Sequence, residues 1–266
     1  MYAQNTKLLK KIMVGYALTF MVVSLTDSLT MIADGMTISQ GLGATALAAI
    51  GLADPSYKIV SLFSGVLAVG LQSLCAQAMG SGDREKANRI FSAALVVTAA
   101  ITVLLTVSGF ACTDMLCVLF GTEKHSDIYL QLYDYLRGWF TGIPGYILFY
   151  VLSPLATLDG NKQILTVSTL IQSAVNIAGD ILSVFVLGAG TYGVGLSTGI
   201  AYNISAMVLI LNFVRKQSVF RPFSASPEFR TLPKVLNIGL PYFTELCCRV
   251  LAPVLINRTI LAVGGS

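Results

Sequence analysis

The stretch IMVGYALTFMVVSLTDSLTMIADGMTI, Ile12–Ile38, decides the fold. It is longer than the roughly 20 apolar residues that cross a bilayer as a helix, and its only charged residues are Asp27 and Asp34. Lys7, Lys10 and Lys11 precede it as they would a secretory leader. The apolar run then continues with no small-residue cleavage site, so it reads as an uncleaved first span. A carboxylate at mid-bilayer costs about 2.5–3.5 kcal/mol on insertion scales. Asp27 and Asp34 therefore need a cavity or a partner.

The same pattern recurs along the chain. Further runs of spanning length are Leu47–Gln77, Phe91–Leu119, Ile128–Leu158, Ile164–Leu187, Val194–Val214 and Leu232–Val263. Gly15, Pro55, Gly65, Gly109, Pro144, Pro154 and Pro241 lie inside these runs, where neighbouring helices can satisfy a broken backbone ladder. Composition agrees: 55% of residues are hydrophobic, 11% are charged and the mean hydropathy is +0.76, against about 25% charged in an ordinary soluble fold. The predicted class is an all-α integral membrane protein. Residues 1–215 form a six-helix transmembrane bundle, 216–231 a cytoplasmic linker carrying Pro222 and Pro227, and 232–266 the first helix of a second bundle.

The distribution of Lys and Arg sets the orientation. With the N-terminus in the cytoplasm, the inner segments hold Lys7, Lys10, Lys11, Arg84, Lys86, Arg89, Lys162, Arg215, Lys216, Arg221, Arg230 and Lys234. The outer connections hold Lys124 alone, and Lys58, Arg137, Arg249 and Arg258 fall within spans. The net charge of +4 thus sits at span ends, not along a face that could track nucleic acid. The connections are too short for a soluble catalytic domain. No serine, cysteine or histidine nucleophile system is visible, and His125 falls in an outer loop. The five cysteines, Cys75, Cys112, Cys117, Cys247 and Cys248, have no CxxC or histidine spacing and read as reduced packing residues.

Ionisable residues within the spans carry the functional information. Asp54 and Lys58 are four apart and can neutralise each other, with Pro55 marking a point where a helix restarts. Glu245 can do the same with Arg249. Asp34 and Asp180 have no basic residue at helix-neighbour spacing. Asn176 lies four residues before Asp180, so an amide and a carboxylate share one helix face. That combination suits a hard cation such as Na⁺ or a shared proton. An asparagine on its own in such a helix can equally be a packing amide.

Five stretches, in order, resemble the multidrug and toxic compound extrusion (MATE) family. They are DGMTISQGLGATALAAIG at Asp34–Gly51, GLQSLCAQAMGSGD at Gly70–Asp83, Asp159-Gly-Asn161-Lys162, NIAGD at Asn176–Asp180 followed by GVGLST at Gly193–Thr198, and Gly239-Leu-Pro241. The resemblance spans the whole chain. It implies a twelve-helix transporter in two six-helix bundles, of which this sequence carries the first bundle and the start of the seventh helix. The implied activity is antiport, exporting organic and often cationic compounds in exchange for Na⁺ or H⁺ across the cell inner membrane, with small organic substrates and no other cofactor. The family's cation site maps onto Asp34, Asn176, Asp180 and Thr198, which would also be the metal ligands if the ion is Na⁺. Asp27 and Glu245 are secondary candidates. Ser39 replaces a glycine common in relatives, and Asp27 and Lys58 are added charges, so the resemblance leaves the substrate open.

Two rival readings come with testable features. A lipid-linked precursor flippase of the same superfamily would place basic residues in the cavity. An intramembrane aspartyl protease would use Asp34 and Asp180 as an acid and base. Gly188-Ala-Gly-Thr-Tyr-Gly193 satisfies GxGxxG but joins two membrane helices, which excludes a dinucleotide fold. Gly80-Ser-Gly-Asp83 reads as a turn with Asp83 capping the following helix. A weaker echo, Ile256–Gly264 laid over Ala33–Gly41, suggests that the second bundle repeats the first.

Overall fold

The computed structural model describes the backbone of residues 2–214, 218–221 and 226–264, and within that set the side chains from 13 to 249 together with Lys10. Arg215 at the end of the first bundle, Lys216 and Pro222 of the linker, and the side chains of Lys7, Lys11, Asn257 and Arg258, lie outside the described residues. The proposed repeat at Ile256–Gly264 therefore falls largely outside them as well.

Among the described residues the chain is helical and contains no strand. The order is α1 (Tyr2–Gly41), α2 (Ala44–Gly51), α3 (Asp54–Gly80), α4 (Arg84–Ala111), α5 (Thr113–Leu119), α6 (Asp127–Phe140), α7 (Ile143–Leu158), α8 (Lys162–Ile181), α9 (Gly190–Val214) and α10 (Leu232–Gly264). A π-helical turn at Leu182–Val186 extends α8, and a 3-10 turn at Phe229–Thr231 leads into α10. Five helical segments are long and apolar enough to cross a membrane, and the bent pair α6 and α7 makes a sixth. Their exposed faces carry Met13, Leu25, Leu29, Val103, Leu104 and Met207, as expected of surfaces that meet lipid or another bundle.

Three predicted spans are broken, one at the restart expected beside Pro55 and two where the runs were read as continuous. Leu47–Gln77 divides at Leu52 and Ala53, because Pro55 cannot donate to the ladder and instead occupies the first turn of α3. Phe91–Leu119 divides at Cys112. Ile128–Leu158 bends by 53° between α6 and α7, with Pro144 in the first turn of the second piece. Other local expectations are met. Asp83 Oδ1 accepts from Lys86 N at 2.9 Å and caps α4, while Gly82 adopts φ +79° in the turn before it.

α9 is the centre of the bundle, packed against α6, α7 and α8, while α1 lies on α8, and α3 runs between α4, α7 and α10. The approach of α9 to the α6/α7 bend depends on missing side chains. A Cβ at Gly138 would lie 2.3 Å from Tyr192 O, and one at Gly142 would lie 2.3 Å from the Gly199 Cα. Fully buried Trp139, between these glycines, packs against Tyr57 of α3 with ring centroids 4.1 Å apart and the rings tilted by 42°. α10 docks on α3, where Ser61 and Tyr242 share a hydrogen bond of 3.1 Å.

Candidate functional site

Most of the buried residues of α8 are polar: Ser168, Thr169, Gln172, Ser173, Asn176 and Asp180 point inward, while Val167, Leu170 and Ile181 are exposed. This is an inverted amphipathic helix, expected when the outer solvent is hydrocarbon and the interior holds a polar site. Gly179 lets α9 come close, since a Cβ there would sit 2.6 Å from Ser197 Cβ. Opposite Asp180 the chain thus presents two successive hydroxyls, Ser197 and Thr198.

The hydrogen bonds close around Asp180, which is 1% exposed. Ser197 Oγ donates to Asp180 Oδ1. Asn176 Nδ2 donates to Asp180 Oδ2 at 3.4 Å and to Thr198 Oγ1 at 3.3 Å, and the Thr198 hydroxyl donates in turn to Val194 O at 3.1 Å. From α1, the Asp34 carboxyl comes within interaction range of Asp180. Its Oδ1 is buried with no hydrogen-bond partner among the described residues. One helix turn away, the hydroxyls of Thr30 and Ser173 are hydrogen-bonded across α1 and α8. The four residues expected to form a cation site, Asp34, Asn176, Asp180 and Thr198, thus converge from three helices.

Asp34, Asn176 and Thr198 form part of the wall of a cavity of about 630 Å³. Asp27 lines the same cavity and lies near Tyr150 and Tyr202. Asp54 also lines it while keeping its predicted contact to Lys58 at 3.7 Å, so a residue read as purely structural has a second face on the cavity. Glu245 is elsewhere: it is exposed on α10 and pairs with Arg249, away from the Asp34 cluster.

Sequence reasoning missed Ser197, Thr30, Ser173 and the tyrosines. The first three had a signal, because Ser197 adjoins Thr198, Thr30 lies four before Asp34 and Ser173 three before Asn176. The tyrosines had none. Tyr57 and Tyr135, whose hydroxyls are 2.7 Å apart, come from α3 and α6, and Tyr150 and Tyr202 come from α7 and α9.

Residues 19–182, well over half of the chain, match the MatE family model. The chain belongs to the MatE family. One relative in this family, multidrug export protein MepA of Staphylococcus haemolyticus (strain JCSC1435), is 24% identical over 221 residues, which is 82% of this chain and 48% of that protein. A crystal structure of a MATE protein in complex with MaD3S superposes with a TM-score of 0.84 at 23% identity, covering 94% of this chain and 56% of the other. A MOP superfamily transporter from Pyrococcus furiosus Vc1 (DSM3638), described as having a binding pocket of reversed polarity that suggests a different function, gives 0.84 at 23% identity, covering 94% and 55%. The chain spans about half the length of the curated relatives it matches. MatE membership and the apolar helices make it a multi-pass membrane protein.

Proposed function

We propose that the protein works as a secondary active antiporter of the cell inner membrane, N-terminus in the cytoplasm, exporting organic and often cationic compounds in exchange for Na⁺ or H⁺. The observation that carries this reading is the donor arrangement around Asp180. Asn176 and Ser197 point hydrogens at its two oxygens, while Asp34 Oδ1 is buried without a donor among the described residues. A buried acceptor left unpaired costs about 1–3 kcal/mol, which a bound cation or proton would recover.

The residues fit either ion. For Na⁺, the Asn176 amide would turn its oxygen inward, so that Asp34, Asp180, Asn176 and Thr198 offer an all-oxygen set. For H⁺, two carboxyls in a poorly solvated bundle disfavour double ionisation and would share the proton. Cation loading and proton loading are then alternatives at one site. Loading neutralises the pair and changes the relative stability of outward-open and inward-open states, which releases the exported compound. A ligand shifts such an equilibrium only through unequal affinity for the two states. An electrogenic step would draw about 2.3 kcal/mol per charge per 100 mV from the membrane potential.

The cavity polarity supports this reading over a flippase for lipid-linked precursors. Asp27, Asp34 and Asp54 contribute to its lining, and no Lys or Arg does among the described residues. The exchange of hydrogen-bond donors for an ion predicts a direct test. Unfolding of the purified protein in detergent is followed in NaCl against choline chloride, and across pH. A Na⁺ site would add about 2.7 kcal/mol at one hundred times its dissociation constant. Asp180→Asn should abolish whichever response the unsubstituted protein gives, and an unchanged response in that variant would contradict the assignment.

A further inference from the structure

A second cavity, of about 480 Å³, lies at the end of the bundle where α3, α4 and α10 meet. Its polar lining comes from Gln77 and Ser81 at the end of α3, Lys86 on α4, Glu228 before the 3-10 turn, and Lys234 and Asn237 on α10. The two lysines stand on opposite sides of the connection between α9 and α10, so nothing in their sequence spacing relates them.

Ordered backbone brings them together. Asp83 caps α4 through Lys86 N at 2.9 Å and fixes Lys86 in the first turn. The connection folds back onto the same helix end. Asn88 donates to Val219 O at 3.0 Å and accepts from Arg221 N at 2.7 Å, and Phe220 is fully buried against Phe91 and Phe213. Further on, Glu228 N donates to Arg89 O at 3.4 Å and Thr231 Oγ1 donates to Glu228 O at 2.7 Å, which places Lys234 in the first turn of α10.

The charge lining the resulting site is mostly positive. The ion pairs among the described residues are Asp54–Lys58, Glu85–Arg89 and Glu245–Arg249, so neither Lys86 nor Lys234 has a carboxylate within salt-bridge distance. Two ammonium groups and the amides of Gln77 and Asn237 share the lining with one carboxylate, Glu228. Lys234 also sits in the first turn of α10, whose partial positive charge favours an anion, whereas Asp83 already meets that of α4. The excess of Lys and Arg puts this end at the cytoplasmic surface, where the leaflet carries anionic headgroups and basic pockets between helices bind them.

We infer that this cavity is a phosphate-ester site clasped by Lys86 and Lys234, filled by the headgroup of an anionic phospholipid or by a soluble phosphate. A phosphate held between them would fasten the start of α10 to the ends of α3 and α4.

The test is ligand retention and thermal unfolding of the purified protein in neutral detergent, with phosphatidylglycerol, phosphatidylcholine or inorganic phosphate added. Phosphatidylglycerol should be retained and should stabilise, and phosphatidylcholine should not. Stabilisation by inorganic phosphate as well would identify a soluble occupant; dependence on phosphatidylglycerol alone would identify a lipid. Lys86→Gln and Lys234→Gln should each weaken binding about fivefold. Glu228→Gln should tighten it, an opposite sign that a merely structural role does not produce. Lys124→Gln, at the far end of the bundle, should change nothing. Equal retention of the two lipids, or lysine variants that bind phosphatidylglycerol as the unsubstituted protein does, would overturn the inference.

Discussion

Asn176 on α8 and Thr198 on α9 are joined side chain to side chain, amide nitrogen to hydroxyl oxygen at 3.3 Å. The same amide holds Asp180 at 3.4 Å, so one residue ties both helices to the carboxylate. Asn176→Ala should leave Asp180 Oδ2 and the Thr198 hydroxyl short of a donor, at a cost of about 1–3 kcal/mol. It should also remove the ion-dependent part of the stability. Chemical denaturation with and without the coupling ion measures both, and an unchanged midpoint would show that the amide is a passive packing group.

Asp54 and Lys58 give a contrasting case. Their contact is 3.7 Å and partly exposed, and such pairs contribute about 0–1 kcal/mol. Asp54→Asn should therefore shift the unfolding midpoint slightly and leave ion-driven export intact, although Asp54 touches the cavity. Loss of coupling in this variant would move Asp54 into the ion site.

The seam between α9 and the α6/α7 bend should resist any added side chain. A Cβ at Gly142 would meet the Gly199 backbone at 2.3 Å, with no flexible group to give way. Gly142→Ala should destabilise by about 1–3 kcal/mol or more through overpacking, read as a lowered unfolding midpoint. A neutral result would mean that the two segments separate more readily than the packed state indicates.

Orientation can be read by single-cysteine labelling in intact cells. Cysteines replacing Lys86 and Lys162 should react only from the cytoplasm, and one replacing Lys124 only from outside. Outside labelling at Lys86 would reverse the assignment that the Lys and Arg bias supports.

Much of the fold was legible in the sequence because hydrocarbon imposes so strong a rule on each span. Asn176 and Asp180 could be paired from their spacing alone, since four residues on a helix means one face. The break before Asp54 was signalled by Pro55, but those at Cys112 and Thr141 were not legible. They depend on how neighbouring helices receive a bend, and Pro154 shows the difference by lying inside α7 without ending it. Glu245 had the right residue type on the seventh helix, and the pairing with Arg249 that its spacing allowed is the contact it makes. Contacts between distant segments, such as Ser197 with Asp180 or Tyr57 with Tyr135, exist only once the helices pack.

In the proposed mechanism Asp34 is the coupling carboxylate, with Asp180 as its partner. The most direct measurement is dye efflux from membrane vesicles containing the protein under an imposed Na⁺ or H⁺ gradient, comparing it with Asp34→Asn and measuring dye binding in parallel. The substitution removes a half-buried charge with almost no change in volume and imitates the neutralised state. Asp34→Asn should remain folded and lose gradient-driven efflux, with Asp180→Asn behaving alike. Efflux by Asp34→Asn at the unsubstituted rate, still dependent on the gradient, would contradict the mechanism.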